Sequence, residues 1–268
     1  MCSSDLLVAG APPNATVFKQ HITQGWMMSL FAFGCLTGAV FLRQPGWRSA
    51  MLLLGIAAAL DNLAFVQSRT GHVATLLLVS LWALLRFGRR GIAIASAVIV
   101  VAVGVFAATG AAFFTRVERT VTEVEMVQHG STQATSVGYR MTFYRNSLKL
   151  IAAAPVFGNG LGSMATVYAP LTVGKTGVEA ERAGNPHNEY MNLAIQAGLG
   201  ATALFIALLA SLALTARRAA AYERWIGYAL PALLAASSVF NSSLWDFNEG
   251  TMSALLAGWC LAAARRPI

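Results

Sequence analysis

Seven apolar runs recur along this chain of 268 residues, at 26–42, 49–66, 72–85, 92–114, 191–216, 225–244 and 251–264, and only the second carries a charge, Asp61. A helix needs ~20 apolar residues to cross hydrocarbon, and most of these runs approach that length. Runs 72–85 and 251–264 are short and require tilt or neighbouring residues. The composition agrees: 56% of residues are hydrophobic and 11% charged. A soluble domain of this size is far less apolar. The expected fold is therefore all-α, a polytopic transmembrane bundle of about seven spans.

The net charge of +8 would suggest nucleic acid only if the basic residues shared a soluble face. They sort instead between the runs. Arg43 and Arg48 follow the first run, Arg86, Arg89 and Arg90 the third, Arg217, Arg218 and Arg224 the fifth, and Arg265 and Arg266 the last, with Glu223 the one acid among them. The positive-inside rule makes these segments cytoplasmic. Residues 67–71, the long loop 115–190 and residues 246–250 then lie outside, and the sides alternate correctly through all seven runs. Nucleic acid is not an expected partner. The lipid bilayer is.

This topology divides the chain into an outer lead-in segment (1–25), four spans (26–114), a large outer loop (115–190) and three spans (191–268). Residues 1–6 read as sequence foreign to the protein, and an outer start without a targeting segment reads as a chain whose upstream spans are missing. Cys2, Cys35 and Cys260 give no disulfide pattern, and the latter two read as packing residues.

Within the second run, a carboxylate near mid-membrane costs roughly 2.5 to 3.5 kcal/mol. Asp61, beside Asn62, should therefore face the bundle interior or lie close to the outer interface, either as the partner of an arginine or in an interhelical hydrogen bond. Arg69, in the outer turn Ser68-Arg69-Thr70-Gly71, is the basic residue that the charge rule does not explain. Either it snorkels to lipid phosphate, or it shares a polar pocket with Asn62, which a continuous helix would bring to nearly the same face.

The outer loop changes character midway. Residues 116–128 alternate charges and read as a solvated helix or lid. From Tyr139 onward, Tyr144, Leu148 and Ile151 recur at helical spacing while Arg140, Arg145 and Lys149 fall elsewhere, which predicts an amphipathic helix on the membrane surface, ended by Pro155. Gly158-Asn159-Gly160-Leu161-Gly162-Ser163 follows. No strand precedes it, so it reads as a tight turn that lets backbone approach a phosphate or another helix, not as a dinucleotide fingerprint. Residues 171–184 read as a flap.

Asn185-Pro186-His187-Asn188-Glu189-Tyr190 then runs directly into an apolar helix. Pro186 disfavours helix at Asn185, and Asn188 is a good N-cap. His187 is thereby placed at the outer mouth of a span. The helix N-terminus opposes its protonation while Glu189 favours it, so His187 is expected to be largely neutral near pH 7 and able to accept a proton. The alternative is an interfacial polar residue without chemistry. His21, His72, His129 and His187 share the outer side, yet none has a ligand-pair spacing, and no metal or cofactor is expected.

Taken in order, Ser68-Arg69-Thr70-Gly71, Arg140, Pro155 to Gly162, Pro186-His187-Asn188-Glu189-Tyr190 and Gln196-Ala197-Gly198-Leu199-Gly200 resemble the O-antigen ligase and O-antigen polymerase superfamily. The resemblance covers most of the chain from about Phe18 and implies the C-terminal part of a bacterial inner-membrane glycosyltransferase with a periplasmic active face. A ligase moves a glycan from undecaprenyl diphosphate to a lipid A-core sugar, and a polymerase moves it to a lipid-linked repeat unit. Inversion without a metal is implied, with Arg69 and Arg140 on the family's arginine positions and His187 on its histidine. Arg145, Lys149 and Asn188 are further substrate-binding candidates, and Glu189 a candidate to replace or orient His187. A transporter of lipid-linked sugars is the reading outside the family.

Overall fold

The structure is a computed structural model that describes residues 20–66, 68–109, 122 and 135–265. Cys2, His129, Arg266 and nearly all of the charge-alternating stretch 116–128 lie outside the described residues. Every described element is helical. The chain divides into two compact units, residues 1–78 and 79–268.

In the first unit, α1 (His21–Phe41) and α2 (Pro45–Ala64) pack as a hairpin. Pro45 opens α2, where its missing N–H costs nothing. Gly55 brings the two helices together, because a Cβ there would stand 2.8 Å from Leu36 Cγ. The chain leaves helix at Phe65, and α3 (Arg69–Phe87) starts afresh after Ser68, whose Oγ accepts the Gly71 N–H at 3.0 Å.

Asn62 and Arg69 are therefore not on one continuous helix, as the shared-face argument required. Asn62 is fully buried. Its Nδ2 donates to Gly25 O at 2.9 Å, Ser29 Oγ at 3.0 Å and Thr75 Oγ1 at 2.6 Å. These interhelical hydrogen bonds of Asn62 tie α1, α2 and the start of α3 at a point where Gly25 and Gly71 let the backbones touch.

In the second unit, α4 (Arg89–Thr109) is followed by α5 (Ser136–Ala153), the short α6 (Met164–Tyr168), two 3-10 turns (Ala169–Thr172 and Gly177–Ala180), and then α7 (Glu189–Ala216), α8 (Ala221–Ser237) and α9 (Phe247–Ala264). Helices α7, α8 and α9 pack on one another, and α5 packs on α7. Between them Phe143, Leu150, Met164, Tyr168, Ala183 and Ile195 form a buried core.

That core defines the inward face of α5. Its inward residues are Phe143, Asn146, Ser147 and Leu150, whereas Leu148 is exposed. The helix buries its apolar side against Tyr168 and Ile195 of the protein, because burial between helices removes more apolar area than lying on a surface does.

Among the described residues, three helices are long and apolar enough to cross a membrane: His21–Phe41, Thr70–Phe87 and Glu189–Ala216. The third run, short in the sequence, is lengthened by Thr70 and Gly71 before it and by Arg86 and Phe87 after it. The run 225–244 is cut short, because α8 stops at Ser237 and residues 238–246 turn back on the protein.

Candidate functional site

His187 sits where three segments meet: the start of α7, the inner face of α5 and the turn after α8. Asn188 caps α7, its Oδ1 accepting the Met191 N–H at 3.0 Å. Just before it, His187 takes a left-handed backbone, φ 54°, the one non-glycine positive φ among the described residues. Histidine and asparagine tolerate this region better than most residues, and an asparagine two positions earlier can hold it. Asn185 does so, its Oδ1 accepting the His187 N–H at 2.8 Å and the Ser242 O–H at 2.7 Å.

The imidazole stacks on Phe143, with ring centroids 6.2 Å apart and planes 23° apart. On the same helix, Tyr144 O–H donates to Val239 O at 2.7 Å and lies 3.4 Å from His187 O. Asn188 Nδ2 donates to Val239 O at 3.0 Å, and the Glu189 N–H donates to Ser238 O at 2.8 Å. The turn after α8 is thus the floor on which the His187 segment is fixed.

Burial holds the His187 imidazole below its ordinary pKa of 6.5, and the positive charge of Arg140 lowers it further, against a hydrogen bond with the Asn241 side chain that raises it. The result is a neutral imidazole at neutral pH, able to accept a proton. Arg140, three residues before Phe143 on α5, is half-buried and within electrostatic reach of it.

The other residues named from the sequence fall elsewhere, all but Arg69 in the same unit. Glu189 is buried, and its carboxylate accepts the Leu244 N–H at 3.0 Å, with Trp245 N–H and Asn192 also against it. Its oxygens hold the turn 242–246. Arg145, exposed on α5, forms an ion pair with Glu179, which Lys175 approaches at 3.5 Å. The hydrogen bond from Arg145, helped by the charge of Lys175, holds the Glu179 carboxyl below its ordinary range in spite of partial burial. This pair ties the flap to α5. Lys149 is exposed one turn beyond Arg145. Arg69 opens α3 in the first unit, and its side chain is not among those described.

The glycine turn meets another helix, one of its two expected partners. Gly158, Gly160 and Gly162 all have positive φ, and so does Gly198, which breaks α7. Asn159 N–H donates to Ile195 O at 2.8 Å, Gly160 N–H to Gln196 O at 2.9 Å and Leu199 N–H to Pro155 O at 2.8 Å, so the turn takes up backbone groups that the break exposes.

Asn241, Ser242 and Ser238 were missed from the sequence because they fall inside the apolar run 225–244. The signal was present: Ser237-Ser238 and Asn241-Ser242-Ser243 concentrate five polar residues at one end of that run. Among the described residues no three His, Cys, Asp or Glu side chains gather in a way that could hold a metal ion.

An all-helical membrane protein that fixes a neutral histidine beside an arginine at the mouth of a spanning helix is equipped for proton transfer next to an anionic group. The chain belongs to the O-antigen ligase family, whose model matches residues 50–206, more than half of its length. No curated protein matches it. The family places it among glycosyltransferase-like membrane enzymes of lipopolysaccharide biosynthesis.

Proposed function

We propose that this protein is an O-antigen ligase-type, metal-independent inverting glycosyltransferase of the bacterial inner membrane. It moves a glycan from undecaprenyl diphosphate to a lipid A-core sugar on the periplasmic face. The observation that carries the reading is the pairing of a half-buried, neutral-leaning His187, stacked on Phe143, with Arg140 on the same helix as that ring.

In the reaction, the acceptor hydroxyl attacks the anomeric carbon from the face opposite the diphosphate. The new C–O bond forms as the C–O bond to phosphate breaks, and the leaving diphosphate takes the electron pair. His187 receives the hydroxyl proton, and Arg140 stabilises the diphosphate by forked, charge-assisted hydrogen bonds. Asn188 and Glu189 hold the His187 segment, and Arg145 and Lys149 supply positive charge along α5.

A His187→Asn variant tests this, because asparagine keeps the left-handed backbone while removing the imidazole. Transfer in cells lacking their own ligase should fall by ~10² to 10⁴ at normal protein level. Full ligation by that variant would refute the assignment. Loss of the gene should leave free lipid-linked polymer, whereas single-repeat lipopolysaccharide would make it a polymerase.

A further inference from the structure

We propose that the glycine turn, residues 155–162, is a membrane anchor that seats Val156, Phe157 and Leu161 among the lipid acyl chains just below the headgroups. Residues 150–174 form a stretch of 25 without a charge, bounded by Lys149 and Lys175. Within it Val156, Phe157 and Leu161 are 65%, 86% and 86% exposed. Water is a poor partner for such a patch on so small a turn.

The depth of the turn is set by α7. Its backbone is bonded to residues 195–199, at the Gly198 break. From that break to Arg217 the helix has no charged residue over residues 199–216, a length of about 27 Å at 1.5 Å per residue, close to the ~30 Å of hydrocarbon. Before the break, Glu189, Asn192 and Gln196 are buried polar residues. Gly198 therefore marks the hydrocarbon boundary, and the turn lies at that level.

Irregular backbone at this depth must have its polar groups satisfied by protein. Here the Asn159 and Gly160 N–H groups and the Pro155 carbonyl bond to α7, and Gly162 N–H donates to Gln196 Oε1 at 2.6 Å. The side chains are left to face outward. The occupant of this surface is lipid, because the turn continues the apolar surface of the spanning helix, where Leu199 and Leu204 are also exposed.

The full chain, with its native cysteines replaced, is reconstituted in phosphatidylethanolamine–phosphatidylglycerol vesicles with an environment-sensitive fluorophore on one new cysteine. Phe157→Cys and Leu161→Cys are read against Leu208→Cys, on the exposed side of α7, and Glu181→Cys on the flap. Lipids spin-labelled at carbon 5 should quench the Phe157 and Leu161 probes several-fold more than aqueous iodide does. The Leu208 probe should respond best to carbon-12 label and the Glu181 probe to iodide. Iodide quenching at Phe157 and Leu161 equal to that at Glu181, with Leu208 still in lipid, would overturn the anchor while leaving the span intact. Strongest quenching of the turn by carbon-12 label would overturn the boundary position.

Discussion

At the residue scale, His187 is defined by its surroundings. Phe143 and the fold remove water, Arg140 repels a proton, and Asn241 favours one. Each contribution has a sign that a titration can read. Imidazole NMR of the labelled protein, with the His187 signal assigned by its loss in the His187→Gln variant, should show a titration below 6.5. Arg140→Gln removes a repulsive charge and should move it upward, and Asn241→Leu removes the hydrogen bond to the charged form and should move it downward. Linkage gives the same sign for stability: a folded-state pKa below the unfolded value means stability is fully present above pH 6.5 and is lost as the pH falls toward the lowered value. A titration unmoved by Arg140→Gln would remove that arginine from the site. The histidine itself was legible, because Pro186 and Asn188 mark a helix mouth in any chain. Asn241 was not, because hydropathy averages over a window and five polar residues at the end of an apolar run do not break it.

At the element scale, the joint between the glycine turn and α7 depends on two missing side chains. A Cβ at Gly198 would stand 2.0 Å from Val156 O, and one at Gly158 2.5 Å from the Gln196 carbonyl carbon, and both positions have positive φ. Overpacking against backbone costs ~1 to 3 kcal/mol, and a non-glycine residue in the left-handed region a further ~1 to 2 kcal/mol. Gly198→Ala should therefore destabilise the protein by about 2 to 5 kcal/mol in detergent melting. Gly200→Ala, with nothing within 4 Å, should be neutral or stabilising by up to ~1 kcal/mol. Equal melting of the two variants would mean that the turn does not dock. The glycine spacing announced a close approach but not its partner, since Gly158 and Gly198 are far apart in sequence and only folding pairs them. The inner face of α5 was hidden for a related reason: Leu148 and Ile151 suit a surface helix by spacing, and the face turned inward is decided by Tyr168 and Ile195, both supplied by later segments.

At the scale of the whole molecule, the positions of arginine decide orientation. Each apolar run forms a helix over most of its described length, and the segments between α3 and α4 and between α7 and α8 are short and basic, with Arg86, Arg89 and Arg90 at one and Arg217, Arg218 and Arg224 at the other. Moving such a cluster across the bilayer works against the bias that sets topology, and arginine at a helix centre costs roughly 2.5 to 3.5 kcal/mol. The His187 segment and the turn 238–246 are bonded to each other and so share a side. They are separated from Arg217 and Arg218 by the length of α7, which is long enough to cross. A membrane-impermeant maleimide should therefore label an exposed Gly184→Cys in cells with a permeabilised outer membrane, and Arg218→Cys only after the inner membrane is opened. Labelling of both in intact inner membranes would mean that α7 does not cross. Reversed labelling would put His187 in the cytoplasm, on the side opposite the proposed acceptor.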